Sequence, residues 1–201
     1  MIRPDYLQIL YKHFPDFNGV KMLEIGDEMW SDDWKGYHDK VGYCKPWFQS
    51  RGIVHTSIDK NGKGGAIQLD LCSDNLPVDL GLFDVVTNFG TIEHVKNIFN
   101  CCKHIHDFTS VGGLQIHVAP CPPQLCRDRF WINHGYWYIG PHFFAGLAEF
   151  LSYEIIELYI HHSFAETVAV LKKTQEVPFM SKEDFSSLPL QVDGGGEQDI
   201  G

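Results

Sequence analysis

Phe83-Asp84-Val85-Val86-Thr87-Asn88-Phe89-Gly90-Thr91-Ile92-Glu93-His94-Val95 decides the fold, because an apolar run turns polar at its end and passes straight into a helix start. In open α/β sheets ligands sit beyond the carboxyl ends of the strands, so residues 88 to 94 fall where such a protein keeps its site. Outward from this stretch the pattern alternates. Val20 to Gly26 reads as a first strand with Glu24 as the one acid inside it, and Ile53 to Ile58 as a second strand ending on Asp59. After 83–88 comes a helix whose apolar positions 95, 98, 99, 102 and 105 repeat at three and four residues. A strand from Leu114 to Ala119 follows, stopped by Pro120, Pro122 and Pro123. Tyr6 to Phe14 is expected as a short helix, and so is Tyr37 to Gln49 despite Gly42 and Pro46.

Strands alternating with helices predict an α/β fold, a Rossmann-like and mostly parallel sheet with helices on both faces. The ending differs. Pro141 suits a first helical turn, and Phe144, Leu147, Ala148 and Leu151 give that helix one apolar face. Tyr153 to Ile160 and Phe164 to Leu171 are separated only by His161-His162-Ser163, which predicts a C-terminal antiparallel hairpin and leaves no room for a helical crossover. Only residues 59 to 66 separate Ile58 from Ile67, fewer than the dozen or so that a parallel crossover takes. Either the helix after the second strand is missing, or 67–71 is barely a strand. Residues 1–173 are expected to form a single domain, and 174–201, with Gly194-Gly195-Gly196, a C-terminal tail.

The net charge of −10, from 26 acidic and 16 basic residues, opposes binding to a phosphate backbone, so no nucleic-acid partner is expected. The apolar stretch from Tyr6 to Tyr11 is broken by Lys12 and His13, and no small-residue cleavage site follows it. Neither a signal peptide nor a membrane span is therefore expected. Six unevenly spaced cysteines in a chain able to build its own core read as reduced thiols in a cytoplasmic protein. Cys121 and Cys126 have no second pair to complete a tetrahedral site. His104, His106, His117 and His134 could cluster in space, but structural zinc sites announce themselves as paired short spacings, and no metal is expected.

The exit of the first strand decides what an α/β nucleotide-type site holds. A pyrophosphate wants glycines and free amides, whereas Glu24, Asp27 and Glu28 put three acids into five residues. A phosphate would be repelled there, and a cationic group would not. These residues and the 83–95 stretch, with its Glu-His-Val ending, resemble class I S-adenosylmethionine-dependent methyltransferases, in particular type 11-like small-molecule enzymes. The resemblance covers about residues 20–172, and a closing antiparallel hairpin is also a mark of that fold. S-adenosylmethionine carries an ammonium and a sulfonium and no phosphate. The resemblance assigns Glu24 to its amino group, Gly26 to close backbone approach, and Asp59 to the ribose hydroxyls, a vicinal diol that two carboxylate oxygens can accept from. It assigns Asp70 to the adenine amino group with Leu71 supplying the adjacent amide, and Asn88 and Phe89 to the cofactor pocket. The chain departs from the family in lacking further glycines two and four residues after Gly26.

Methyl transfer is an in-line displacement at an activated carbon, so alignment and exclusion of water come first and a base is needed only for a protonated nucleophile. His134 is the first candidate for that base and His94 the second. Phe130 to Tyr138 packs five aromatics around His134, and Trp131, Tyr136 and Tyr138 are the expected acceptor contacts. The same segment reads equally as a hydrophobic lid or a dimer face. Together these features imply an S-adenosylmethionine-dependent methyltransferase acting on a small-molecule acceptor at oxygen, as a monomer or homodimer. The alternative is a catalytically degenerate S-adenosylmethionine-binding or regulatory protein. A nicotinamide oxidoreductase is disfavoured by Asp27, Glu28 and the hairpin, and protein or nucleic-acid methylation is a further rival.

Overall fold

The computed structural model describes residues 1–32, 40–126 and 131–193. Helix α1 (Pro4–His13) precedes β1 (Lys21–Ile25), α2 (Lys45–Ser50), β2 (Val54–Asp59) and the two-residue β3 (Ile67–Gln68). Then come β4 (Phe83–Phe89), α3 (Ile98–Phe108), β5 (Thr109–Pro120), β6 (Trp137–Tyr138), α4 (Pro141–Leu151), β7 (Tyr153–His161), β8 (Glu166–Lys173), α5 (Lys182–Ser186) and β9 (Gln191–Val192). Seven strands form one sheet in the order β3-β2-β1-β4-β5-β8-β7. The first five run parallel, and β8 lies antiparallel between β5 and β7, so the hairpin inserts its second strand against the parallel block. Reversal at β1 leaves β1 and β4 adjacent, and in open α/β sheets such a switch point is where ligands sit, beyond the carboxyl ends of the strands.

Period-two alternation sorts the core onto both faces. Met22, Val85, Phe89 and Val118 face α1 and α2, where they meet Leu10, Trp47 and Phe48. Leu23, Ile25 and Val86 face the other way, toward Ile98, Cys101, Phe143 and Leu147 of α3 and α4. Arg3 is bound bidentately by Glu166 at the start of β8, and the Tyr6 hydroxyl donates to the same carboxylate at 2.9 Å, which docks α1 across the sheet.

Two expectations are corrected, for 37–49 and 174–201, and the alternative left open between β2 and β3 is resolved. Only Lys45–Ser50 of the 37–49 segment is helical, because Pro46 sits in the first turn as a starter and Gly42 has φ +70 ahead of it; residues 37–39 lie outside the described residues. Between β2 and β3 both shortfalls occur together: the connection is a single 3₁₀ turn at Lys63–Gly65, and the strand has two residues. Residues 174–193 do not form a tail. Met180, Phe185 and Leu188 are buried in the core of α3 and α4, with the Phe185 ring 5.3 Å from Phe99 and 5.8 Å from Phe143, and β9 pairs antiparallel with β6. The apolar residues of this segment follow no single period, so no local pattern marks it. The glycine run at 194–196 lies outside the described residues. No helix among the described residues is long and apolar enough to cross a membrane.

A buried polar chain crosses the sheet beneath the site. Asn88 Nδ2 faces His117 Nδ1 at 3.4 Å, His117 Nε2 faces Gln115 Oε1 at 3.3 Å, and Gln115 Nε2 donates to the Tyr153 hydroxyl, which bonds His106. Burial alone holds His117 neutral, its pKa lowered to about 3. Its contribution to stability is therefore complete above the unfolded-state value near 6.5 and is lost as pH falls from there toward 3. Relative to His117→Gln, the wild-type protein is expected to lose about 1.4 kcal/mol per pH unit across that window, measurable by urea unfolding at pH 7.5, 5.5 and 4.5. A difference between the two proteins that does not change with pH would show that His117 is not held neutral.

Candidate functional site

Strand exits bring the predicted residues together. Gly26, the first residue beyond β1, has φ +93, and its amide donates to Ile58 O of β2 at 2.8 Å. A Cβ there would lie 2.3 Å from Thr91 Oγ1, and that hydroxyl donates to Ile25 O at 2.9 Å, so the β1 and β4 exits touch through a position that only glycine fills. Beside it, the Asp27 amide donates to Asp59 Oδ2 at 3.1 Å and the Asn61 amide to Oδ1 at 2.8 Å. Asp59 is thereby fixed across the β1–β2 crevice, and each oxygen keeps accepting capacity for a further donor.

Asp70 is exposed just past β3, with its Oδ1 accepting the Cys72 amide at 2.8 Å, and Leu71 is buried. The side chains of Asn88 and Phe89, both assigned to the cofactor pocket, are held by other parts of the protein. Asn88 is fully buried, and its Oδ1 accepts the Thr91 and Ile92 amides at 3.2 and 2.9 Å, which starts the 3₁₀ turn Ile92–His94. Phe89 points to the opposite face and stacks on Tyr6 with centroids 5.0 Å apart.

Carboxyl groups crowd the site. Glu24, Glu28 and Glu93 are buried at 0, 6 and 1% exposure. Burial, then the charge of Glu28, pushes Glu24 well above the usual carboxylate range; burial also raises Glu28 and takes Glu93 up to about 8. Asp27 is raised to about 6 by burial and by Asp59. Neither oxygen of Glu24 or of Asp27 has a hydrogen-bond partner among the described residues, nor has Glu93 Oε2. His55 Nε2 lies 3.5 Å from Glu24 but is itself held neutral by burial, its pKa near 3, so it offers no charge. Glu28 is paired with the terminal ammonium of Met1.

The two candidate bases, forty residues apart in sequence, meet. His94 Nε2 and His134 Nε2 are 3.2 Å apart, and each lies 3.9 Å from Glu93 Oε1. Burial lowers both, His94 to about 4 with a further push from His134, so both imidazoles are neutral at pH 7. The His134 loop is clamped by Asp193, whose carboxylate accepts the amides of Asn133, His134 and Gly135 at 2.8, 2.6 and 2.9 Å. Of the aromatic segment, Trp131 is half-buried with its ring 4.6 Å from His134 and its Nε1 donating to Phe164 O. Tyr136 is half-buried and its amide donates to Glu93 O at 2.7 Å; Tyr138 is buried, and its hydroxyl donates to Trp131 O at 3.3 Å. Glu93 and Asp193 are the residues that sequence reasoning missed. Glu93 stood in plain view beside His94, whereas Asp193 lay in the supposed tail. A separate cleft of about 600 Å3, lined by His13, Asp84, Gly112 and Lys172, lies at the opposite ends of the strands and shares none of these groups.

No family model and no curated protein matches the sequence. Solved structures do match the fold. The N-methyltransferase NodS of Bradyrhizobium japonicum WM9, in complex with S-adenosyl-L-homocysteine, aligns with a TM-score of 0.55 at 12% identity over 85% of this chain and 86% of that one. An O-methyltransferase family protein of Burkholderia thailandensis aligns with a TM-score of 0.54 at 13% identity over 86% and 57%. The [4+2]-cyclase SpnF aligns with a TM-score of 0.51 at 13% identity over 80% and 60%. With strand order and closing hairpin in agreement as well, the chain has the fold of the class I S-adenosylmethionine-dependent methyltransferases.

Proposed function

We propose that the protein binds S-adenosylmethionine over the exits of β1, β2 and β4 and transfers its methyl group to a hydroxyl oxygen of a small molecule. One observation carries this reading: Glu24, Asp27, Glu28 and Glu93 are gathered at one strand-exit crevice with their ionised forms disfavoured by burial, and most of their oxygens lack donors. Such a site favours a ligand that brings positive charge and disfavours a diphosphate. Glu24 is the acid nearest the core for the cofactor's ammonium, Gly26 gives the backbone approach, Asp59 takes the ribose hydroxyls, and Asp70 with the Leu71 amide takes the adenine edge. Trp131 and Tyr136 wall the acceptor side, with Tyr138 supporting them from within. His134, whose side chain is the more exposed of the imidazole pair at 24% against 13%, is the group nearest to accept an acceptor's proton, with His94 behind it. As the acceptor oxygen attacks the methyl carbon, the carbon–sulfur bond breaks and S-adenosylhomocysteine leaves.

The net charge of −10 argues against a nucleic-acid acceptor. S-adenosylmethionine and S-adenosylhomocysteine are expected to raise the melting temperature while NAD does not, and mass spectrometry of the purified protein is expected to find retained S-adenosylhomocysteine. Equal stabilisation by NAD would overturn the cofactor assignment. Asp59→Ala should weaken S-adenosylmethionine binding by about 1.5–3 kcal/mol, the worth of hydrogen bonds to a charged group, as read by calorimetry. Unchanged affinity would reduce Asp59 to a turn residue.

A second reading, a cofactor-binding protein without transfer, is favoured by Glu28. It stands where related loops carry glycine, and its carboxylate is already ion-paired. The fold also serves a cyclase, so fold alone does not decide chemistry. Production of S-adenosylhomocysteine with any acceptor excludes this reading.

A further inference from the structure

We propose that Glu93, His94 and His134 bind a divalent first-row transition-metal ion at the mouth of the cofactor crevice, with its open coordination position toward the acceptor. One ligand atom from each of the three lies within 4.8 Å of the others. With separations of 3.2, 3.9 and 3.9 Å, a point equidistant from His94 Nε2, His134 Nε2 and Glu93 Oε1 lies about 2.1 Å from each, the bond length of zinc to imidazole nitrogen and carboxylate oxygen.

Protein groups alone do not satisfy this cluster. A hydrogen bond between the imidazoles uses one N–H and one lone pair, and Glu93, 1% exposed, is left 3.9 Å from both rings, beyond hydrogen-bond range, with Oε2 unpartnered. Buried polar groups are normally hydrogen-bonded, and buried charges are paired or coordinate a metal. An ion at the centre takes the carboxylate and both nitrogen lone pairs at once.

The backbone segments that carry the two imidazoles are also fixed before any ion arrives. His94 ends a 3₁₀ turn whose amides are fixed by Asn88, and His134 sits in the loop clamped by Asp193. Gly135 brings that loop against Glu93: a Cβ there would lie 2.7 Å from Glu93 O, so a larger residue would push His134 away. Two imidazoles and one carboxylate, without a thiolate, suit zinc, cobalt, manganese or ferrous iron better than calcium or magnesium, and three protein ligands leave positions open. The expectation of no metal rested on the absence of paired short spacings; here two ligands are adjacent and the third comes from forty residues on.

The ion's role toward the acceptor rests on the methyltransferase reading, and its binding does not. A hydroxyl oxygen on the ion gives its proton to water, and the resulting alkoxide forms the new oxygen–carbon bond as the carbon–sulfur bond breaks.

The test uses the full chain stripped with a chelator. Cobalt(II) is expected to bind one equivalent with the visible absorption of a four- or five-coordinate site, and zinc added to the stripped protein should survive gel filtration at one per chain. Glu93→Gln and His134→Gln should each weaken cobalt binding by about a hundredfold or more, since losing even an outer partner of a ligand costs about ten- to a hundredfold, whereas His142→Gln, on α4, should not change it. His134 is in a loop, so its variant remains informative if the Glu93 variant fails to fold. Absence of stoichiometric cobalt binding, or an unaltered affinity in folded His134→Gln, overturns the site. Calorimetry with S-adenosylmethionine on the stripped protein separates the two readings: metal binding without cofactor binding overturns the methyltransferase alone, and the converse overturns the metal site alone.

Discussion

His134→Gln is expected to lower methyl-transfer turnover by about a hundredfold or more while leaving S-adenosylmethionine affinity within a few-fold, the scale of losing a group that handles the acceptor's proton. The ring lies in the Asp193-clamped loop, off the strand exits that would grip the cofactor, so binding and chemistry separate at this residue. The loss follows whether the imidazole takes the proton itself or holds the ion on which the hydroxyl ionises. For an acceptor that ionises unaided the defect should shrink at high pH. His94→Gln should differ, because it ends the 3₁₀ turn beside Gly26's contact at Thr91 and should weaken cofactor binding and turnover together. Steady-state kinetics of S-adenosylhomocysteine release, paired with calorimetry, checks both. Turnover of His134→Gln within a few-fold of wild type would transfer the role to His94.

Gly26→Ala is expected to damage folding and binding at once. At φ +93 an alanine is strained, and its Cβ would meet Thr91 Oγ1 at 2.3 Å, which must swing away and release Ile25 O. The combined cost is about 1–3 kcal/mol, a fall in Tm on the order of 5 °C for a chain of this length. Because the amide of Gly26 ties β1 to β2 through Ile58, the displacement also opens the Asp27–Asp59 contact, and S-adenosylmethionine binding should be lost. Thermal unfolding with and without cofactor measures both effects. A variant with wild-type Tm and full cofactor stabilisation would show that the crevice does not depend on this approach.

The opening stretch was readable because its information is local. An apolar run and a polar exit lie within thirteen consecutive residues and give β4, whereas the helix expected to follow at once is a 3₁₀ turn at Ile92–His94, and α3 starts only at Ile98. The placement of Glu24, Gly26 and Asp59 at strand ends was legible for the same reason, and the parallel order of β1, β2 and β4 aligns those ends. Period two alone separates Asn88 from Phe89: adjacent residues on a strand face opposite ways, so both side chains could not line one pocket. The 83–95 pattern marks where the strand ends but not what each side chain does beyond it.

By itself the sequence determined the alternating sheet, the closing hairpin and an acid-rich first exit that suits a cation over a phosphate, all properties of short runs. Only the tertiary structure decided that His94 and His134 face each other across Glu93. That meeting depends on Asp193 binding three consecutive amides of a distant loop, and on Gly135 admitting that loop to the Glu93 backbone. It also made residues 174–193 part of the core, because Phe185 and Leu188 gain their burial from α3 and α4 and not from any periodicity of their own. Neighbour-to-neighbour preferences are written in the order of residues, whereas contacts closed over forty to sixty residues depend on where the whole sheet sets each loop down.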